Sequence, residues 1–415
     1  MRVLLSTIGS RGDVQPMVAL ALRLKTRGHD VRVCVPPDFR EWIEGLGIAV
    51  TPIGPEVRSF AAARPAGTRP TPLTLERRQQ LADASVATQF ETLFEVAQGC
   101  DIIVAATALQ IAARSIAEKL GIPYVFAAYT PTVLPSTYHA PPELPPLPGQ
   151  AHPLTTDNLE LWARDAARFN DLFGRGLNAH RAKLGLAPVG DVRGYMLTDR
   201  PWLAADPTLG PWPDREDNGV FQTGAWILAD ERSLPRELET FLESGEPPIY
   251  FGFGSTRALP ETGQMMLEAA RALGRRAIVS RGWFDESLAG NAADCLSIGE
   301  VNILALFPRV AAVVHHGGAG TTTAAALAGT PQAVLSHHYD QHYWARQVER
   351  LGIGAAHAPG TQITESLTRG LACSLEPGVA ARARSVAKMI RRDGVEVAAR
   401  ELERTSLRPT SGSDS

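Results

Sequence analysis

Four short segments carry the side chains whose types and spacing could do chemistry. The first is residues 9–16, Gly-Ser-Arg-Gly-Asp-Val-Gln-Pro, which separates an apolar run from a helical pattern. Glycines let the backbone approach a ligand at such a turn, and a helix N-terminus favours negative charge. Asp13 could be a general base, but by its position alone a helix cap is the commoner role. Ser10, Arg11 and Gly12 could contact a phosphate or only shape the turn.

The second segment, residues 315–322, reads His-His-Gly-Gly-Ala-Gly-Thr-Thr and follows a buried-strand pattern. A strand that ends in a glycine turn before a helix can hold a diphosphate with backbone N–H groups. His315 could donate to a phosphate oxygen at the strand end, and the other candidates are Gly317, Gly318, Gly320 and Thr321. The lysine of a P-loop is absent, and the spacing differs from the dinucleotide-binding fingerprint. A turn with packing glycines is the alternative.

The third segment, residues 336–342, reads Ser-His-His-Tyr-Asp-Gln-His and follows the next strand pattern. The adjacent carboxylate and carboxamide of Asp340 and Gln341 could bind neighbouring sugar hydroxyls, because together they offer acceptors and donors. The alternative is a surface loop in which Asp340 caps a helix. The histidines invite a metal-site interpretation, but no known ligand spacing supports it. We therefore predict no metal and no cofactor.

Two further stretches could contact the nucleotide part of a ligand. Ser255 and Thr256 follow a strand that ends in a glycine turn, so they could contact a phosphate or ribose or could only form the turn. Val301 lies between two strand patterns, where its backbone could pair with the edge of a nucleobase.

The elements that must position these residues alternate between strands and helices along the whole chain. Such alternation predicts parallel sheets with right-handed crossovers, so the fold class is α/β. We expect a helix beginning near Pro16 and a last helix over residues 379–402. Two irregular stretches, residues 61–74 and 131–153, predict long functional or mobile loops. The candidate residues follow strand ends, where open α/β sheets bind ligands.

Length and composition limit the possible classes of protein. The chain has 415 residues, more than one hydrophobic core usually holds, so two domains are expected. Its net charge of −3 provides no basic field for nucleic acid. Four widely spaced cysteines indicate neither a zinc site nor a disulfide framework. No apolar stretch is long enough to span a membrane, and no signal-peptide core is present, so a cytoplasmic protein is expected.

Taken together, the motifs resemble natural-product glycosyltransferases of the GT-B fold, especially those that decorate glycopeptide antibiotics. They are also similar to sterol glucosyltransferases, which share the opening Gly-Ser-Arg-Gly-Asp-x-x-Pro. The resemblance covers nearly the whole chain and includes Thr-Gly-Ala-Trp at residues 223–226. It implies two doubly wound, Rossmann-like domains that face each other across a cleft, with a C-terminal helix that crosses back to the first domain.

The resemblance also implies a role for each candidate residue. Asp13 would deprotonate the acceptor hydroxyl, and His315 would bind the diphosphate together with the glycine turn. Ser255 would contact the nucleotide, Val301 would hold the base, and the Asp340–Gln341 pair would hold the sugar. The acceptor would lie near Tyr129, Tyr138, His139 and Trp162.

The implied function is an inverting glycosyltransferase that needs no metal. Its substrates would be a nucleoside-diphosphate sugar and an apolar, hydroxylated small molecule, and the resemblance favours a thymidine-diphosphate deoxysugar over a UDP-sugar. The implied units are an acceptor domain (1–210), a linker (211–230), a donor domain (231–385), a returning helix (386–405) and a disordered tail (406–415). A sterol-type glucosyltransferase, a nucleotide-sugar epimerase, a non-catalytic sugar-nucleotide binder and an NAD-dependent enzyme are the alternatives.

Overall fold

The computed structural model describes residues 1–58, 73–144, 147–148, 154–214, 219–254, 260–281, 293–357 and 363–406. Several sequence predictions fall outside these ranges: the greater part of the first irregular loop (59–72), Ser255, Thr256 and the end of the tail (407–415). Within the described residues, no helix is long and apolar enough to cross a membrane.

The first half of the chain forms a parallel sheet whose strand order is β3-β2-β1-β4-β5-β6-β7. The strands are β1 (Arg2–Thr7), β2 (Asp30–Val35), β3 (Ala49–Pro52), β4 (Ile102–Ala106), β5 (Tyr124–Ala128), β6 (Trp202–Leu203) and β7 (Phe221–Gln222). The helices are α1 (Arg11–Thr26), α2 (Arg40–Glu44), α3 (Leu75–Val96), α4 (Ala113–Leu120), α5 (Asn158–Phe169), α6 (Arg175–Lys183) and α7 (Val192–Leu197). A π-helical turn, Asn170–Gly174, joins α5 to α6.

The second half forms another parallel sheet, in the order β10-β9-β8-β11-β12-β13. Its strands are β8 (Ile249–Gly252), β9 (Ala277–Ser280), β10 (Cys295–Ile298), β11 (Ala312–His315), β12 (Gln332–Val334) and β13 (Gly354–Ala356). The helices are α8 (Arg236–Glu243), α9 (Pro260–Ala272), α10 (Ile303–Leu306), α11 (Ala319–Ala328), α12 (Gln341–Leu351), α13 (Ile363–Ser374), α14 (Pro377–Ala387) and α15 (Gly394–Ser406).

The two sheets confirm the predicted α/β class with two doubly wound units. Central strands such as β4 and β11 are buried along their whole length, because helices cover both faces of a parallel sheet. The strand order reverses between β1 and β4 in the first sheet and between β8 and β11 in the second. Ligands bind at such reversals, outside the carboxyl ends of the strands. The first and second candidate segments follow β1 and β11, so each lies at one of these reversals.

The predicted start of the first helix was wrong. Helix α1 begins at Arg11, and Pro16 lies inside it. The carbonyl of Ser10 accepts bonds from the amides of Asp13 (3.0 Å) and Val14 (3.1 Å), so the first turn closes before the proline is reached. Proline lacks an N–H group, so the carbonyl of Gly12 receives no helical bond. The proline therefore marks the second turn of the helix rather than its beginning.

The predicted last helix is two helices. Helix α14 packs on α11 in the second half, whereas α15 returns to the first half and packs on α1. Ala398, Ala399 and Leu402 of α15 belong to the same core as Val14 and Met17 of α1. The break between the helices is held by Arg391, whose amide donates to Asp206 Oδ2 at 2.8 Å. The chain therefore crosses back to the first half at residues 388–393, between α14 and α15, as the resemblance implies.

Strands β6, β7 and β13 were missed by the sequence analysis because each is only two or three residues long. Strand β7 lies within residues 211–230, the predicted linker. The first sheet therefore continues past residue 210, and the predicted domain boundaries stay a prediction.

We expect the substitution Leu402→Ala to lower the free energy of unfolding by about 2–5 kcal/mol, because it leaves a cavity in the core shared with α1. Arg404 lies on the same helix with 73% of its side chain exposed. Arg404→Ala should change stability by less than about 0.5 kcal/mol. Urea denaturation followed by circular dichroism measures both. Equal effects of the two substitutions would show that α15 is not part of this core.

Candidate active site

A cavity of about 2280 Å³ lies between the two halves of the chain and is lined by residues from both. The turn after β1 and the start of α1 form one wall, and the turn after β11 and the start of α11 form the other. Of the predicted residues, Ser10, Arg11, Gly12 and Asp13 line the first wall, and Gly318, Gly320 and Thr321 line the second. The fold thus brings two candidate segments, about three hundred residues apart in the sequence, to one cavity.

Asp13 occupies the third position of α1, not the cap position. The cap is Ser10, whose amide donates to Asp13 Oδ2 at 2.7 Å and whose hydroxyl donates to the same oxygen at 3.1 Å. A Cβ atom on Gly9 would lie 2.2 Å from Asp13 Oδ2, so only glycine lets the carboxylate pack against the turn. Both bonds from Ser10 reach Oδ2, so Oδ1 is the oxygen of Asp13 that no other described residue bonds, and it can accept a proton.

Two opposing effects act on the pKa of Asp13. Burial raises the pKa, because a charged carboxylate loses water, while the two bonds from Ser10 lower it. The hydroxyl of Tyr129 donates to the carbonyl of Asp13 at 3.2 Å and fixes the backbone of this turn. Tyr129 also packs edge-on against Trp226, at 6.0 Å between ring centroids. A carboxylate whose pKa is raised by burial and whose position is fixed in this way is suited to general-base catalysis.

The turn after β11 presents to the cavity backbone amides that have no partner among the residues with described positions. The first helical bond of α11 runs from the amide of Thr322 to the carbonyl of Gly318 at 3.0 Å, so the amides of residues 319–321 precede it. A Cβ atom on Gly317 would lie 2.9 Å from Val334 and 3.0 Å from the carbonyl of Gln341, and its φ is +90°. Glycine is therefore required for the turn to fit against the neighbouring strand and helix. This geometry suits a diphosphate.

His316 lies at the cavity wall, and His315 does not. The side chain of His315 is fully buried: its Nε2 bonds Gln332 Oε1 at 2.8 Å, and its Nδ1 accepts from the amide of Gly317 at 3.0 Å. Both ring nitrogens are used inside the protein, so His315 positions the turn. His316 therefore lies at the cavity, in the position that the sequence predicts for His315.

The ring of His316 lies between the end of β8 and the start of α11. A Cβ atom on Gly318 would lie 2.6 Å from its Nε2, and one on Gly254 would lie 3.4 Å from its Cε1. Its Nδ1 is buried without a hydrogen-bond partner in the described part of the structure. Burial lowers its pKa to about 3, so the ring is neutral near pH 7. No local sequence signal separates His316 from His315, because the residue at which β11 ends decides which of the two rings reaches the cavity.

Asp340 and Gln341 lie at the same cavity, at the start of α12. Asp340 Oδ2 accepts from Trp344 Nε1 at 3.0 Å. Burial, reinforced by the charge of Asp13, raises the pKa of Asp340 to about 6. Gln341 Oε1 accepts from the amides of His337 (2.8 Å) and His338 (3.2 Å). Gln341 therefore shapes the histidine-rich loop with its carbonyl oxygen, and its NH₂ group makes no hydrogen bond to any residue that the structure describes.

Arg11 bridges the two halves instead of pointing freely into the cavity. Its Nη2 lies 2.7 Å from Glu300 Oε1 in the second half, and its guanidinium lies 3.6 Å from the ring centroid of Trp42. Glu300 precedes Val301, which lines the cavity as predicted. Asn302 ties the same loop to the segment between the sheets, because its Nδ2 donates to the carbonyl of Asp230 at 2.7 Å. Arg11 is thus a contact across the cleft.

The predicted acceptor residues divide into two groups. Tyr129 and Trp162 line the cavity, whereas Tyr138 and His139 do not. Tyr138 is 64% exposed, and His139 is held between Trp162 and Trp212. The sequence analysis missed an apolar stripe that runs from α5 into the π-helical turn and lines the cavity: Phe169, Leu172 and Phe173. The helical spacing from Trp162 was the signal that could have revealed it.

The histidine-rich loop is held by internal contacts. His342 Nδ1 lies 2.8 Å from Ser336 Oγ, and the ring of His338 packs edge-on against Tyr339. Among the residues with described positions, no three His, Cys, Asp or Glu side chains are grouped so that they could hold a metal ion.

Comparisons with known proteins cover both halves of the chain. Residues 3–139 match the glycosyltransferase family 28 N-terminal domain, and residues 284–397 match the erythromycin biosynthesis protein CIII-like C-terminal domain. The vancomycin aglycone glucosyltransferase of Amycolatopsis orientalis is 46% identical over 97% of each chain. The dTDP-epi-vancosaminyltransferase of the same organism is 43% identical over 93% of each chain.

Solved structures agree on the fold. The glycosyltransferase of kitacinnamycin superposes with a TM-score of 0.72 at 20% identity, over 97% of this chain and 98% of that one. The glycosyltransferase VinC, solved in complex with dTDP, superposes with a TM-score of 0.68 at 20% identity, over 98% and 99%. The two facing sheets are therefore the GT-B arrangement that the motifs resembled. The chain belongs to the natural-product glycosyltransferases, the family that includes the vancomycin aglycone glucosyltransferase.

Proposed function

We propose that the chain transfers a sugar, with inversion, from a nucleoside diphosphate to a hydroxyl group of an aromatic natural-product aglycone. The observation that carries the proposal is the position of Asp13. Its carboxylate is fixed at the cavity by Ser10, keeps Oδ1 free, and lies on the wall opposite the amides that open α11. A base on one side of a reacting carbon and a diphosphate site on the other are what an inverting displacement requires.

In this mechanism Asp13 Oδ1 accepts the proton of the acceptor hydroxyl. The hydroxyl oxygen forms a bond to the anomeric carbon while the bond from that carbon to the diphosphate oxygen breaks, and the electron pair leaves with the diphosphate. Attack from the face opposite the leaving group inverts the anomeric configuration. The raised pKa of Asp13 makes it a stronger base than an exposed carboxylate.

The leaving diphosphate is stabilised by the second half of the chain. The amides of residues 319–321 and the dipole of α11 meet its negative charge. His316, neutral near pH 7, donates one ring N–H to a phosphate oxygen. Hydrogen bonds in a site shielded from water are worth more than in solution, which is the basis of this contribution.

The remaining residues hold the sugar, the nucleotide and the acceptor. Asp340 and the NH₂ group of Gln341 bind sugar hydroxyls, and the backbone at Val301 meets the nucleobase. The acceptor lies in the first half, against Tyr129, Trp162 and the apolar stripe on α5. Such a large apolar wall is not needed by an epimerase, which closes on the sugar nucleotide alone.

For the donor we propose a thymidine-diphosphate sugar. One relative is named for a dTDP-linked sugar, and one solved structure of the same fold was determined with dTDP. For the acceptor we propose a glycopeptide aglycone, the substrate class in the name of the relative that is 46% identical.

We expect Asp13→Asn to lower kcat/KM by about 10²–10⁴-fold, because the amide cannot accept the acceptor proton. Asparagine still accepts the bond from the Ser10 amide, so the fold and nucleotide binding should persist. Glu41→Gln, which changes another carboxylate at the cavity wall, is the matched control. Transfer to vancomycin aglycone, followed by liquid chromatography, measures all three. Undiminished transfer by Asp13→Asn would exclude Asp13 as the base.

Two histidines of the second half, His316 and His342, should behave differently. His316→Gln should lower kcat about 10–10²-fold through loss of a leaving-group contact, whereas His342→Gln changes a ring that contacts Ser336 and lies outside the cavity lining. Because burial lowers the pKa of His316 to about 3, its ring stays neutral from pH 5 to 9. The His316→Gln profile of kcat/KM against pH, which reports the groups of the free enzyme, should therefore keep the wild-type shape at a lower level. If the profile of His316→Gln lost an ionisation near pH 6.5 that the wild type shows, the neutral state of His316 would be contradicted.

A thermal-shift panel identifies the donor nucleotide. A ligand that binds only the folded protein raises its stability by about 2.7 kcal/mol at a hundredfold excess over Kd. We expect the largest rise in Tm with thymidine diphosphate, compared with UDP, ADP, GDP and NAD. A larger rise with UDP would replace the proposed donor with a UDP-sugar. A rise with NAD alone would overturn the transferase mechanism.

A further inference from the structure

The hydroxyl of Ser10 lies between two possible acceptors of its single proton. On one side it donates to Asp13 Oδ2 at 3.1 Å. On the other side Ser10 lines the cavity, at the N-terminus of the sixteen-residue helix α1. In the proposed mechanism a diphosphate lies in that cavity at the start of α11, and Ser10 lines the same cavity from the start of α1. A hydroxyl has one proton to donate, so it cannot donate fully to both acceptors.

Asp13 does not need the Ser10 hydroxyl to keep its position. The Ser10 amide makes the shorter bond to the same oxygen, 2.7 Å, and this N–H cannot turn away because it belongs to the backbone. Gly9 lets the carboxylate pack directly against the turn, where a Cβ atom would lie 2.2 Å from Oδ2. The carboxylate therefore keeps its position when the hydroxyl rotates about the Cα–Cβ bond of Ser10 and gives up its capping contact with the Asp13 amide.

We infer that the Ser10 hydroxyl donates to Asp13 only while the donor site is empty, and that it turns to a phosphate oxygen when the sugar nucleotide binds. The inference rests on the proposed function, because it needs the diphosphate to lie between the two helix starts. Charged phosphate oxygens are strong acceptors, so the exchange replaces one charge-assisted hydrogen bond with another. Asp13 keeps the amide bond and loses the hydroxyl bond.

The consequence is a base that becomes stronger when there is a sugar to transfer. A carboxylate that loses a hydrogen-bond donor gains proton affinity, and the incoming negative charge of the diphosphate adds to the effect. In the described ranges, two other titratable groups interact with the charge of Asp13: Tyr129 from the end of β5 and Asp340 from the loop before α12. Tyr129 is held neutral by burial and donates to the Asp13 carbonyl, and Asp340 accepts from Trp344 Nε1, so neither is bonded to the Ser10 hydroxyl.

Two pH profiles of Ser10→Ala test this exchange. With vancomycin aglycone saturating, kcat/KM for dTDP-glucose reports the enzyme before the donor binds; with dTDP-glucose saturating, kcat/KM for the aglycone reports the enzyme that already holds it. The acidic limb that disappears in Asp13→Asn is assigned to Asp13. In the pH profile of kcat/KM for dTDP-glucose, we expect Ser10→Ala to move this limb to higher pH. The shift should correspond to an about tenfold lower proton concentration. The limb in the aglycone profile should stay in place.

Other outcomes overturn the inference. Equal movement of both limbs would show that the hydroxyl stays on Asp13 throughout, and no movement of either would show that it does not act on Asp13 in solution. Ser10→Thr keeps a hydroxyl and should restore the wild-type difference between the profiles. Ser10→Gly removes the hydroxyl with an acceptable helix cap and replaces the alanine variant if that one does not fold. The proposed function fails by a different result, undiminished transfer by Asp13→Asn, so the two failures are distinguishable.

Discussion

The bond from the Ser10 amide to the Asp13 carboxylate joins the turn after β1 to the first turn of α1, and the candidate site is arranged around it. The bond has a structural effect, because it satisfies an amide that helix geometry leaves unpaired. It also has a chemical effect, because it holds one carboxylate oxygen and leaves the other facing the cavity. The usual distinction between a capping residue and a catalytic residue does not apply to Asp13, since the same side chain is suited to both roles.

A second constraint is the direction of the strands. All pairs in both sheets are parallel, so every strand in one sheet ends at the same edge, and the helices that follow begin there. The edges of the two sheets border one cavity, which receives the N-termini of α1 and α11. Positive helix ends from two directions suit a diphosphate without any excess of basic residues, which agrees with the net charge of −3.

The segment that leaves the first half and the segment that returns to it lie against each other. Gly224 and Gly394 lie so close that a Cβ atom on Gly394 would be 2.4 Å from the carbonyl of Ala225. The outgoing segment and the returning helix α15 therefore pass each other at one point. The cross-cleft pair of Arg11 and Glu300 closes the opposite side, at the loop that holds Val301. Because the Glu300 side chain is 57% exposed, this ion pair contributes little stability by itself.

By itself the sequence determined the α/β class, the two units and the segments that carry the chemistry, because strand and helix patterns and glycine turns are local signals. It did not determine which histidine faces the cavity, since the neighbouring residues His315 and His316 differ only in their position relative to the end of β11. The sequence also did not place Pro16 inside α1 or show the break between α14 and α15. It did not distinguish Trp162, which lines the cavity, from Tyr138, which does not. Those outcomes depend on which atoms pack against a side chain from distant parts of the chain, and only the tertiary structure decided them.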